Sequence, residues 1–179
     1  MADAGVEGAP ALPSDLATEP PSDPPPGRLR AAFGAFATGV TIVTAVDAAG
    51  RAVGMTVNSF SAVSLAPPLV LWCAQRGVPP FDAFAAARHY AVHVLAADQR
   101  ALADRFADPA TLGQRFDGVP TEPGPGGLPL IHGCPTRLPC EVVQRVEAGD
   151  HLILIGRVLA IEHRPASPLL FHAGRYLSA

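Results

Sequence analysis

The stretch Gly54-Met55-Thr56-Val57-Asn58-Ser59-Phe60-Ser61-Ala62-Val63-Ser64-Leu65-Ala66-Pro67-Pro68 decides how this chain is read. It places short hydroxyl and amide side chains where an ordinary buried strand carries Val, Ile and Leu. Thr56, Asn58 and Ser59 can hydrogen-bond a flat polar ligand, and their small size lets that ligand approach the backbone. The Pro67-Pro68 pair is expected to stop any strand ladder, because neither residue has an N–H to donate. A strongly apolar strand, Leu69 to Cys73, comes next. Polar strand, proline-fixed loop and apolar strand together predict a binding ledge on a barrel.

Strand patterns dominate on both sides of the ledge. Leu29, Phe33 and Phe36 recur at helical spacing and predict a short amphipathic helix over Arg28–Ala37, ended by Gly39. Val40–Val46 is a β-branched strand that turns at Asp47-Ala48-Ala49-Gly50. Downstream, Pro79–Arg88 predicts a helix with proline at its start, His89–Leu95 a strand, and Asp98 the N-cap of a helix through Phe106. Ala107–Pro129 is dense in Gly and Pro and is expected to be a long surface loop. Leu138–Val146 and Leu152–His163 form a hairpin across Glu147-Ala148-Gly149-Asp150, and Leu169–His172 is a last short strand. Many strands, few helices and no regular strand–helix alternation predict a mainly β fold, an antiparallel barrel with a few short peripheral helices.

Composition narrows the chemistry. A length of 179 residues with 49% hydrophobic content suits one domain with a proper core. Residues Met1–Gly27 are rich in Pro and Ala, carry few large apolar groups, and are expected to be a disordered tail before a domain at 28–179. The net charge is −3 and the basic residues are scattered, so no nucleic-acid partner is expected. All 13 basic residues are arginine, which removes lysine Schiff-base chemistry and the phosphate-loop lysine. Cys73, Cys134 and Cys140 form no Cys-x-x-Cys pair, and Cys73 is expected in the core. The acidic N-terminus has no basic residue before Arg28 and no apolar run reaches membrane-spanning length, so a cytoplasmic protein without signal peptide or membrane segment is expected. His89, His93, His132, His163 and His172 lack metal-ligand spacing and are expected to be core residues, so no metal is expected. No Gly-x-Ser-x-Gly elbow supports hydrolase chemistry.

The ledge, the upstream segment Thr38-Gly39-Val40-Thr41-Ile42-Val43-Thr44 and the downstream Gly149-Asp150-His151 together resemble the short-chain flavin reductase family, the reductase components of two-component flavin-dependent monooxygenases. The resemblance runs from about Phe33 to Tyr176. It implies an FMN-binding split β-barrel of the Greek-key antiparallel kind, assembled as a homodimer. A flavin ring needs hydrogen-bonding groups at its pyrimidine edge and aliphatic packing at its dimethylbenzene end. Thr56, Asn58, Ser59, Ser61 and Ser64 suit the first requirement, and Val57 and Val63 the second. In the resembled family the loop after the Leu69 strand supplies a basic residue and hydroxyls to the flavin phosphate. Here it reads Gln75-Arg76-Gly77-Val78-Pro79-Pro80, so Arg76 is the expected cation, Gln75 a donor, and the helix after Pro79 contributes its dipole. Val78 and Pro79 stand where hydroxyl residues are expected, which leaves FMN against FAD open. Arg105-Phe106 matches a basic-aromatic pair near the flavin, or Phe106 is only its helix's apolar anchor. The resemblance places His151 near the nicotinamide of the reducing cofactor, with Asp150 a turn residue.

The implied activity is an NAD(P)H:flavin oxidoreductase that reduces FMN or FAD with NADH or NADPH, the reduced flavin diffusing to a separate monooxygenase. Two rivals stand beside it: a split-barrel flavoprotein that keeps its flavin and acts on another substrate, and a non-catalytic flavin- or haem-binding module.

Overall fold

The computed structural model describes residues 23–178, so most of the expected tail Met1–Gly27 lies outside the described residues. The first element, α1 (Pro26–Gly34), opens on a proline at its first turn. It begins two residues before the expected boundary and stops three residues short of Ala37. Its apolar side is only partly covered: Leu29 is half-buried, Phe33 is 72% exposed, and Phe36, two residues past the helix end, is 78% exposed.

Strands follow in the order β1 (Thr38–Gly39), β2 (Thr41–Val46), β3 (Ala52–Val57), β4 (Ser61–Leu65) and β5 (Pro68–Gln75). After α2 (Phe81–Ala86) come β6 (His89–Val94), a 3-10 turn over Ala97–Gln99 and α3 (Arg100–Ala107). The rest is β7 (Thr121–Pro123), β8 (Pro129–Ile131), β9 (Thr136–Ala148), β10 (His151–Val158), β11 (Glu162–His163), β12 (Leu169–His172) and β13 (Arg175–Ser178).

Every ladder is antiparallel. The main sheet runs β3-β2-β6-β9-β10-β5-β4, and the three residues Asn58–Phe60 join its two outermost strands through the chain. That connection curls the sheet into a barrel. A second, three-stranded sheet, β1-β12-β13, brings the last described residues beside the first strand.

Inside the barrel Val43, Val70, Trp72, Phe84, Tyr90, Val92 and Leu154 form one core, with Trp72 edge-on to Phe84 at 4.8 Å. A second core, of Ile42, Leu95, Ala103, Phe106, Ile131 and Leu169, lies between the other face of β2 and α3. β2 is therefore buried on both faces, which is why it reads as a continuous β-branched run. At roughly 1.5–3 kcal/mol for each large apolar side chain fully buried, these two clusters dominate the favourable side of folding.

Several expectations change in detail. Pro67-Pro68 does not stop a ladder: Ala66–Pro67 make a tight turn and Pro68 opens β5 opposite Leu65, a first-strand position that needs no N–H. Asp98 is not the N-cap of α3; it lies within the 3-10 turn, and the Gln99 side chain accepts the Ala96 N–H at 2.9 Å instead. The expected loop Ala107–Pro129 holds a 3-10 turn over Pro109–Gln114 and the strand β7, paired with β8. β10 ends at Val158, and Glu162–His163 fold back onto the start of β9. Cys73 is not a core residue, because Val70, Trp72 and Ala74 take the inward positions of β5 and leave it half-buried on the outer face. Among the other five histidines only His93 is fully buried, while His132 and His163 are exposed.

Candidate functional site

The quoted stretch folds into the end of β3, a three-residue corner and β4. Its hydroxyls do different things. Thr56 donates to the Ala103 carbonyl at 2.7 Å and so pins α3 to β3. The Ser59 hydroxyl accepts the Cys73 N–H at 3.0 Å and lies 3.3 Å from the Cys73 carbonyl, replacing a ladder rung where β4 has left the strand edge. Ser61 donates to the neighbouring Ala62 carbonyl, and Ser64 is half-buried beside Leu69 on the outer face. Asn58 is exposed and, among the described residues, has no protein partner.

A cavity of about 160 Å³ opens at this corner, lined by Val40, Thr56, Val57, Asn58, Ala107, Phe171 and Tyr176. One wall carries an amide and a hydroxyl. The other is aromatic and aliphatic, with Phe171 and Tyr176 edge-on at 5.4 Å and the Arg100 guanidinium 5.6 Å from the Tyr176 ring centre. The hydroxyl of Thr38 is buried without a partner in β1, directly opposite Phe171 across the ladder. Polar groups on one side and aromatic packing on the other fit a flat heteroaromatic ring with donors and acceptors along one edge. Val40, Ala107, Phe171 and Tyr176 were not visible as site residues in the sequence. They meet only because β12–β13 returns to β1.

The second cluster is the turn between β9 and β10. Gly149 has φ +60°, which a two-residue hairpin turn requires and other residues resist. Register then places His151 opposite Gln75 on β5, and the Asp150 carbonyl accepts the Arg76 N–H at 2.9 Å. His151 Nδ1 sits 2.7 Å from Asp150 Oδ1. A carboxylate there holds the proton on Nδ1 and leaves Nε2 of the neutral ring as an acceptor. The same hydrogen bond holds the Asp150 carboxyl below the usual carboxylate range.

Arg76 is not a free cation. It pairs with Glu147 of β9 and lies 5.2 Å from the Phe81 ring centre. Nor does α2 offer the expected dipole: it has six residues, with Asp82 in its first turn. Arg105 is half-buried on α3. Phe106 is fully buried, edge-on to Phe116 at 5.1 Å and so close to Gly54 that a Cβ there would come within 2.7 Å of its ring. It has no surface to offer a ligand and anchors its helix. Val57 is buried at the cavity wall, whereas Val63 sits at a bulge in β4 and is 47% exposed.

β5 connects the two clusters. Ser59 is bound to Cys73, Cys73 pairs with Ile153, and two residues along the same face Gln75 pairs with His151. Successive same-face residues are about 6.6–6.8 Å apart, so β5 carries the attachment point of the corner and the partner of His151 two residues from each other. A larger cavity of about 410 Å³ lies elsewhere, among Val53, Pro80, Leu112 and Phe116; its charged rim residues Asp47 and Arg51 are already bonded to each other.

Comparison with known proteins identifies the family of the whole domain. Residues 33–179 match the family model described as flavin reductase like domain. The chain is 46% identical over 147 residues to an NADH-dependent FMN reductase of Agrobacterium fabrum, covering 82% of each. It is 37% identical over 154 residues to the reductase subunit of a flavin-dependent monooxygenase of Rhodococcus jostii, covering 84% of this chain and 76% of that one. Among solved structures it resembles an NADH:FAD oxidoreductase of Streptomyces globisporus in complex with NAD and FAD fragments. That match has a TM-score of 0.78 at 40% identity, over 84% of this chain and 90% of that one.

Proposed function

The chain belongs to the flavin reductase-like family, and on that premise we propose that it is an NADH-dependent flavin reductase supplying reduced flavin to a separate monooxygenase. The observation that carries this reading is that β5 links a ring-sized cavity at the Asn58 corner, through the Ser59–Cys73 hydrogen bond, to a carboxylate-oriented imidazole opposite Gln75. A bound flavin nucleotide supplies the hydride-accepting ring; the protein supplies orientation.

The residues divide that task. Asn58 offers its free amide to the ring edge, while Thr56 and Ser59 hold the backbone that carries it. Phe171, Tyr176 and Val40 exclude water from the apolar end. His151, with Nδ1–H fixed on Asp150, presents Nε2 as an acceptor, which suits the amide N–H of a nicotinamide carboxamide. Holding donor and acceptor carbons about 3–3.5 Å apart is the main catalytic contribution such a site makes.

Leu69, Leu71, Cys73, Ile153 and Ile155 form an apolar outer face, and Phe33, Phe36 and Leu65 are exposed, which supports a homodimer through these surfaces. The three thiols are free, and burial pushes Cys134 up to about 11 and Cys140 up to about 12, which suits a cytoplasmic enzyme that does not use thiol chemistry. No helix among the described residues is long and apolar enough to cross a membrane.

A steady-state assay of NADH oxidation with FMN, FAD and riboflavin tests the activity. Saturable oxidation dependent on added flavin, with protein that is colourless after desalting, is expected. A flavin that survives desalting, together with slow reduction of added flavin, would replace this reading with that of a flavoprotein acting on another substrate.

A further inference from the structure

We propose that Glu147 is a specificity-determining residue that weakens Arg76 as a phosphate ligand and so keeps the flavin exchangeable; this rests on the reading of Arg76 as the cation that meets the flavin phosphate. Three observations carry it. Arg76 is the sole basic residue of the loop Gln75-Arg76-Gly77-Val78-Pro79-Pro80, and its side chain is 44% exposed. Its guanidinium is occupied on two sides, by the Glu147 carboxylate at one edge and by the Phe81 ring across its plane. The neighbouring charges are acidic: Asp82 follows Phe81, and Asp150 accepts the Arg76 backbone N–H through its carbonyl.

A guanidinium has five N–H donors in a fixed fork, so a phosphate can still take its free edge. It does so beside a carboxylate, at a loop whose short helix carries Asp82 in its first turn. Binding of the dianion is therefore opposed by repulsion from Glu147 or by loss of the existing pair. Without the Glu147 carboxylate the whole guanidinium fork would be open to the phosphate. Glu147 sits on β9 just before the turn that leads into His151, so one hairpin both orients the imidazole and limits the grip on the flavin tail.

The test compares FMN with riboflavin, which lacks the phosphate, in the full-length chain and in Glu147→Gln, Arg76→Gln and the double variant, by fluorescence titration. Glu147→Gln is expected to tighten FMN by about 2- to 5-fold, the range set by an exposed ion pair, and to leave riboflavin unchanged. In the Arg76→Gln background the Glu147 change should have no further effect on FMN. Equal shifts for both flavins, or an undiminished Glu147 effect without Arg76, would overturn the proposal. If Arg76→Gln leaves FMN and riboflavin binding in the same ratio as the parent, the phosphate is not at Arg76 and the proposal fails. Flavin-dependent NADH oxidation by the same preparations would show that the reductase reading survives.

Discussion

Two groups of polar side chains in one barrel meet different fates. Thr41, Thr44 and His93, in the buried strands β2 and β6, are each saturated by backbone: Thr41 on the Val57 carbonyl, Thr44 on the Pro129 carbonyl at 2.8 Å, and His93 between the Ile42 carbonyl and the Ile131 N–H. At the β3–β4 corner and the end of β5, Asn58 and Gln75 are exposed and have no protein partner among the described residues. The first group costs stability when removed, since each loss strands a buried donor or acceptor. The second is available to something that is not protein. A polar residue in a strand therefore marks a ligand site only where backbone has not already claimed it.

His93 tests the buried side of that contrast with the largest effect. Its Nδ1–H serves the Ile42 carbonyl at 3.1 Å and its Nε2 accepts the Ile131 N–H at 3.0 Å, which ties β8 to the barrel. His93→Leu should lower unfolding free energy by about 2–5 kcal/mol, because both backbone groups stay buried and lose their partner. Burial holds the His93 pKa down at about 4, below its unfolded value of 6.5. Its stabilising contribution is thus complete above pH 6.5 and is lost as pH falls towards 4, up to roughly 3 kcal/mol. Urea titrations between pH 4 and 7.5 measure both quantities. A His93→Leu variant with the parent's acid sensitivity would show that another group controls it.

His151 comes next, on rate rather than stability. It opens β10 next to an exposed turn and belongs to no core cluster, so His151→Ala should fold normally and slow hydride transfer by about 5- to 150-fold, the effect of losing one well-placed hydrogen-bonding group worth roughly 1–3 kcal/mol. Asp150→Asn, which keeps a hydrogen-bond partner for Nδ1 but removes the charge, should fall between parent and His151→Ala. Anaerobic single-turnover bleaching of flavin after mixing with NADH separates these outcomes. Unchanged bleaching in a folded His151→Ala protein removes the side chain from the mechanism.

Much of this was legible in the chain, and the part that was not has a physical pattern. Strand-rich alternation and the hairpin at Gly149-Asp150 announced an antiparallel barrel, because period-2 burial and turn glycine leave local marks. Gln75 and His151, far apart in the chain, stand opposite each other on the β5–β10 ladder. What stayed hidden was set by long-range pairing. The Arg76–Glu147 pair, the burial of Phe106 behind Gly54, and the approach of Phe171 and Tyr176 to Val40 all depend on which strands meet. Hydroxyl identity alone also could not show that Thr56 and Ser59 would be consumed by backbone while Asn58 would not.

The finest form of the comparison lies between neighbours, Asn58 and Ser59. Ser59 is a clamp: its hydroxyl holds Cys73 from both sides and thereby sets where β4 begins. Ser59→Ala should lower stability by about 0.5–1.5 kcal/mol, the usual net worth of such a bond, and weaken FMN only as a consequence of a looser corner. Asn58 makes no such contact, so Asn58→Ala should leave the melting temperature unchanged and raise the Michaelis constant for FMN by about 2- to 10-fold. Ser59→Leu, by contrast, places bulk at the corner next to Asn58 and should impair FMN use in a protein that still folds. Thermal melts and flavin titrations on the three variants decide it. Should Asn58→Ala melt early and bind FMN like the parent, the corner's free amide belongs with the structural polar groups of β2 and β6, and the ring edge must be recognised by backbone instead.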